Sequence, residues 1–253
     1  MKRLMLSCLL FAVLCVPDLQ AQQFVTEGQI EYEVKTNIKK TMGSSSWAER
    51  LQENLPQFKT AYYQLTFTSS ESMYKFSRWP ENNKLPEWIR GTDEENTWYT
   101  NHVTNRLAVR KNVAGSNFFI LDSLRKISWK LSNETRIIAG YTCRKATGII
   151  MDSIYVFAFY TDEILLPGGP AAITGLPGTI LGLTIPRMYT SYIATKVSAM
   201  PVNAGMIKAP ENKKTYSSIE FMKAMIDRTK DWYYGDDDEA KDQKNQFIWG
   251  VGL

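Results

Sequence analysis

Between Glu27 and Asn37 the side chains alternate. Ile30, Tyr32 and Val34 are interleaved with Gln29, Glu31, Glu33 and Lys35. Period two is the repeat of a strand with one face in the core and one in water, because successive Cβ atoms point to opposite sides of the backbone. Similar runs follow at short spacing: 61–70 and 72–79, joined through Ser69, Ser70 and Glu71, then 106–111, 117–123, 127–133, 136–151, 153–165, 179–185 and 189–200. The pattern predicts a mainly β protein, with one curved antiparallel sheet or half-open barrel or bowl of about ten strands.

Helices are few. Residues 46–55 start on a serine and place Trp47, Leu51 and Leu55 on one face, which predicts a short N-terminal helical insertion between strands. Residues 217–235 predict a C-terminal helix. Ser217 or Ser218 caps it, Glu220 sits early, Gly235 stops it, and Ile219, Met222, Met225 and Ile226 form its apolar stripe. The segment 80–96 reads as a long polar loop around Trp88, 236–239 as a solvated acidic run, and 246–253 as a candidate last strand.

The first residues read as a targeting segment. Lys2 and Arg3 precede an apolar run from Leu4 to Val16, and Leu19-Gln20-Ala21 is a small-residue cleavage site. The expectation is a signal peptide over 1–21 and one β-rich domain over 22–253, exported to the periplasm, held at the outer membrane or secreted. Lipid attachment at Cys15 is the less favoured route, because Leu14 is bulky where such signals take a small residue. No later run reaches the ~18 apolar residues of a membrane-spanning helix.

Export leaves one cysteine, Cys143, so no internal disulfide is available. With one histidine, His102, a Cys/His zinc site is excluded, and Ser-His-Asp or Cys-His chemistry would depend on that single ring. No phosphate-binding loop, dinucleotide fingerprint, metalloprotease motif or nucleophile elbow occurs, so no cofactor and no metal is assigned. The formal charge of +4 is not gathered into a Lys/Arg block, which argues against nucleic acid as a partner. Glu31 and Glu33 share a strand face, and their simplest role is its wet side.

Residues 134–183 carry an ordered set of motifs: Gly140, Tyr141, Cys143, Lys145 and Ala146; then Phe159, Tyr160, Thr161, Glu163 and Ile164; then Gly169-Pro170; then Gly175-Leu176-Pro177-Gly178 running into a strand. This block resembles the GLPGLI family of exported Bacteroidota proteins, and Lys213 to Tyr216 resemble that family's C-terminal part. Thr179 stands where the family carries Leu, and 164–172 has Leu-Leu-Pro where the family moves from Ile to Pro. The resemblance implies a cell-envelope accessory or binding protein, non-enzymatic, working beside a TonB-dependent outer-membrane receptor or on a small ligand or peptide. The alternative is a secreted or periplasmic hydrolase of unknown substrate. The fold it implies is also similar to the N-terminal bowl-like domain attached to some bacterial peptide-N-glycosidases, whose glycosidase domains have no counterpart in this chain.

Gly175, Leu176, Pro177 and Gly178 are either a tight corner feeding a central strand or a ligand-contacting loop. With Tyr141, Lys145 and Tyr160 they form the candidate contact set, together with the aromatics of the concave sheet face. Asp122-Ser123-Leu124 and Asp152-Ser153-Ile154 resemble the Asp-Ser/Thr-apolar sites at which Bacteroidota O-glycosylate exported proteins, which marks Ser123 and Ser153 as candidate acceptors.

Overall fold

The computed structural model describes residues 24–43, 46–203, 205–230 and 238–253. The expected signal peptide, the side chain of Trp47, and Asp236 and Asp237 of the acidic run lie outside the described residues.

Eleven strands form one antiparallel sheet. They are β1 (Gly28–Asn37), β2 (Phe58–Phe67), β3 (Glu71–Arg78), β4 (Thr97–Asn101), β5 (Arg106–Val113), β6 (Ser116–Ser123), β7 (Lys130–Ile138), β8 (Tyr141–Ile150), β9 (Ile154–Thr161), β10 (Thr179–Ile185) and β11 (Thr190–Ala199). The order across the sheet is β6-β5-β4-β3-β2-β1-β11-β10-β9-β8-β7, so two meanders meet at the β1–β11 pair. The alternation read in β1 is real: Ile30, Tyr32 and Val34 are buried and the residues between them are half-buried.

The chain passes from edge strand β6 to edge strand β7 through residues 124–129 alone. Seven Cα steps reach at most about 27 Å, whereas eleven strands laid flat would span about 48 Å. The sheet therefore bends, but it stays open, since β6 and β7 are not paired. Bending explains why one apolar cluster joins residues of both halves, from Val109 and Phe118 to Ala146 and Val156. The inner face is filled by the 162–178 loop, in which Ile164, Leu166 and Ile173 are buried, and by the C-terminal helices. On the outer face, Met73, Tyr99 and Ala108 are covered by Ile207.

Five helices are described: α1 (Ile38–Thr41), α2 (Ser46–Glu53), α3 (Glu87–Glu94), α4 (Ser218–Thr229) and α5 (Asp238–Gly252). Ser217 caps α4 through a capping box, with the Glu220 N–H donating to the Ser217 hydroxyl and the Ser217 N–H donating to the Glu220 carboxylate. Just before it, Tyr216 pairs with β6: its N–H donates to Phe119 O and its carbonyl accepts from Leu121 N, which covers an edge otherwise open to strand addition.

Four expectations need correction. Residues 246–253 belong to helix α5, not to a strand. The run 136–151 is two strands, because Ala139 and Gly140 both take positive φ and reverse the chain into β8. The polar segment 80–96 contains α3. The buried stripe of α4 is Phe221, Met225 and Thr229, whereas Ile219 and Ile226 face outward. The ring of Phe221 packs 5.4 Å from that of Phe118, and this aromatic contact sets which face of the helix turns inward.

Candidate functional site

The residues expected to make ligand contacts do not form one site. Gly175 and Gly178 hold positive φ, and Leu176 is buried. The Gly178 N–H donates to Leu176 O across Pro177, and the Trp129 indole N–H donates to Thr174 O. Thr179 begins β10 fully buried, its hydroxyl donating to Leu166 O at 2.7 Å and lying 3.3 Å from Ile164 O. This is the packed geometry of a corner. Tyr160 is buried within β9. Tyr141 and Lys145 lie on β8, where Lys145 pairs with Glu134 at 2.5 Å. Ser123 and Ser153 are exposed, at the end of β6 and in the turn before β9.

His102 sits in the β4–β5 turn, its Nε2 3.4 Å from the Thr100 hydroxyl, and burial lowers its pKa. The Cys143 thiol is buried and pushed up to about 12, chiefly by desolvation, so it stays protonated and unreactive at neutral pH. Glu31 bonds Arg78 and Glu33 accepts from the Tyr62 hydroxyl, as a wet strand face would.

What the sheet does create is a cavity of about 520 Å³ on the inner face of β1–β5 and β11, bounded by α3 and α5. Its walls are aromatic. Tyr63 stacks on Tyr74 with centroids 5.1 Å apart and planes 9° from parallel, Trp98 tilts against Tyr74 at 5.5 Å, and Tyr192 stands on β11. Period two explains the arrangement: Tyr63, Tyr74 and Trp98 occupy inward positions on three neighbouring strands, and Tyr74 is cross-strand from Trp98. Trp88 on α3 adds an indole at the cavity that is 62% exposed.

Polar groups converge among these rings. Lys59 pairs with Asp93 at 2.7 Å. Lys111, on β5, is 8% exposed, donates to Gly250 O at 3.2 Å and lies 5.0 Å from the centre of the Trp98 ring. Desolvation lowers its pKa to about 8, against a weaker upward pull from Asp93. Burial, with Asp93 and Tyr192 nearby, raises the Tyr63 phenol. The Tyr74 hydroxyl is buried and has no hydrogen-bond partner among the described residues. Asn96, Gln243 and Gln246 complete the polar lining. Flat apolar rings with a few hydrogen-bonding groups suit a ligand that has apolar faces and a polar rim.

Sequence reasoning pointed to concave-face aromatics in general, but it missed Lys59, Asp93 and Lys111. Strand alternation could have found Lys111, an inward lysine two places from the buried Val109. Of the Gly-rich loop, Ala171 reaches the cavity, with φ of 51°. Among the described residues no helix is long and apolar enough to cross a membrane.

The chain resembles two solved crystal forms of PNGF-II. One superposes with a TM-score of 0.52 at 14% identity, covering 78% of this chain and 32% of that one. The other gives 0.53 at 15%, covering 81% and 34%. At such identity the likeness is one of fold, and this chain spans about a third of the length of those chains. No curated protein matches the sequence. The family described as "N-glycanase peptide, N-terminal domain" matches residues 92–221, just over half of the chain. That match overturns the expected non-enzymatic accessory of outer-membrane transport and favours the hydrolase alternative. By its sequence and its sheet, this chain belongs to the family of N-glycanase peptide N-terminal domains.

Proposed function

We propose that this chain works in the hydrolysis of N-linked glycans and that its inner-face cavity holds the carbohydrate. The observation that carries the reading is the cavity itself, walled by Tyr63, Tyr74, Trp98 and Tyr192 and edged by the exposed Trp88, in a chain of an N-glycanase domain family. A sugar ring offers C–H groups on its faces and hydroxyls around its rim. Indole and phenol faces, which carry partial negative charge, pack against the C–H faces. Asn96, Gln243, Gln246 and the Lys59–Asp93 pair face the hydroxyls.

The share of the reaction assigned to the cavity is binding and orientation. General acid–base hydrolysis needs a group that gives a proton and one that takes it. Asp93 is the one carboxylate among the described lining residues, and it is already ion-paired with Lys59. The preorganised stack of rings would fix the glycan relative to the bond that is cut. Export, as expected from residues 1–21, would place the protein where glycoproteins outside the cytoplasm are its targets.

Calorimetric titration with an N-linked glycopeptide, alongside mass spectrometry of glycan released from it, tests the reading. Saturable binding that weakens in Trp88→Ala supports it. Failure of the folded protein to bind any N-glycopeptide rejects it.

A further inference from the structure

Two cations line the inner end of the cavity, Lys111 buried and Arg125 half-buried. The Lys111 ammonium lines both the main cavity and a smaller one of about 90 Å³ beyond it, and the Arg125 guanidinium lines the smaller one. Neither has a carboxylate within ion-pair distance among the described residues. Lys111 donates to Gly250 O at 3.2 Å and Arg125 to Gly252 O at 3.1 Å. These carbonyls belong to the C-terminal turn of α5, whose dipole is worth about half a negative charge. Half a charge offsets the buried Lys111 ammonium only in part, and the carboxyl group of Leu253, which lines both cavities, makes no ion pair with either cation. Asp93, the nearest acid, is held by Lys59 at 2.7 Å. Asp122 accepts from the backbone N–H groups of Ser218 and Ser123 and acts on Arg125 from beyond ion-pair distance.

A buried charge without a counter-charge costs several kcal/mol, and a protein normally avoids one by pairing it or by binding an anion there. Lys111 has three N–H donors and a single acceptor among the described residues, a long one. It also lies over the face of Trp98. The donors that remain lie beside the indole, in the wall where a sugar ring would rest.

We infer that Lys111, backed by Arg125, forms an anion subsite in this cavity and that the preferred glycan carries an acidic group, a carboxylate or a sulfate, on the sugar that reaches Trp98. The inference rests on the glycan-binding reading and narrows its substrate class. The anion completes the charge balance that the helix end leaves short, and its oxygens accept the free Lys111 protons. A neutral sugar in the same place leaves the ammonium uncompensated.

The test titrates wild type, Lys111→Met and Lys111→Arg with three versions of one glycopeptide. The terminal sugar carries a carboxylate, carries a sulfate, or has its carboxylate reduced to the alcohol. Wild type should bind at least one charged version about tenfold tighter than the alcohol, a gap of ~1.4 kcal/mol. Lys111→Met should lose that gap and keep the affinity for the alcohol, and Lys111→Arg should retain it. Which charged version shows the gap identifies the anion. Circular dichroism confirms that Lys111→Met is folded, as expected where a methionine of similar length replaces an unbalanced charge. Equal binding of charged and neutral versions by wild type overturns the subsite and leaves the glycan reading standing. Binding of none of the three overturns both.

Discussion

Where β10 begins beside β9, Gly178 lies so close to Thr161 that a Cβ on the glycine would overlap the Thr161 carbonyl oxygen. The same residue holds φ at +144°, a conformation side chains rarely adopt. Two independent constraints therefore select glycine at the last place of the Gly-Leu-Pro-Gly turn. Gly178→Ala should lower the unfolding free energy by at least about 2 kcal/mol, from backbone strain and the forced separation of β9 and β10. Urea unfolding measures it, and a change below ~0.5 kcal/mol would show that the corner tolerates a side chain.

Thr179 follows with its own constraint. Its hydroxyl, fully buried, donates to Leu166 O. Valine has nearly the same shape without the donor. Thr179→Val removes one of the two hydrogen bonds to the Leu166 carbonyl, which keeps the Gly168 N–H, and should cost about 0.5–1.5 kcal/mol. The 162–178 loop, which that bond ties to β10, should gain amide exchange in the variant. Unchanged exchange across the loop would mean that packing alone holds it.

Trp88 offers a test of binding separated from folding. At 62% exposure it contributes little to the core, so Trp88→Ala should shift stability by no more than about 0.5 kcal/mol. On the glycan-binding reading proposed above, its removal should weaken N-glycopeptide binding about tenfold. The pair of readouts is a melting curve and a titration. Equal affinity for wild type and variant would remove Trp88 from the binding surface.

The sheet was legible in the sequence because its signal is local: alternation in β1, the serine-rich turn between β2 and β3, and the β-branched run of β10 each lie within ten residues. The mistakes came from tertiary context. Residues 246–253 combine β-formers with two glycines, yet they finish a helix, because Trp98 donates to Leu253 O at 2.6 Å and Lys111 and Arg125 hold the neighbouring carbonyls. No local pattern announces partners over a hundred positions away. The cavity was hidden for the same reason. Lys59, Asp93 and Lys111 come from β2, α3 and β5, and only the bend of the sheet brings them among the rings of Tyr63, Tyr74 and Trp98. The Gly-Leu-Pro-Gly motif, conspicuous in sequence, marks the corner rather than the cavity.

The unbalanced charge of Lys111 also predicts a pH dependence. Burial lowers its pKa from the ordinary 10.5 to about 8, while Asp93 opposes the shift and Lys59 and Arg125 reinforce it. The Trp98 ring and the Gly250 carbonyl beside it do not titrate, and the carboxyl group of Leu253, which lines the same cavities, stays ionised throughout this range. Below pH 8 the folded and unfolded chains are both protonated at this site, and the folded state bears the full cost of the buried charge. Between pH 8 and 10.5 the folded chain releases the proton while the unfolded chain keeps it, so stability rises with pH. The gain from pH 7.5 to pH 10 should be about 2–3 kcal/mol in wild type relative to Lys111→Met. Tyr32, Tyr63, Tyr74 and Tyr192, whose phenols burial raises, pull stability down above pH 10. That effect is common to both proteins and cancels in the difference. Urea midpoints at the two pH values decide it: parallel changes in wild type and Lys111→Met would mean that the lysine finds its counter-charge within the protein, and the anion subsite would lose its physical basis.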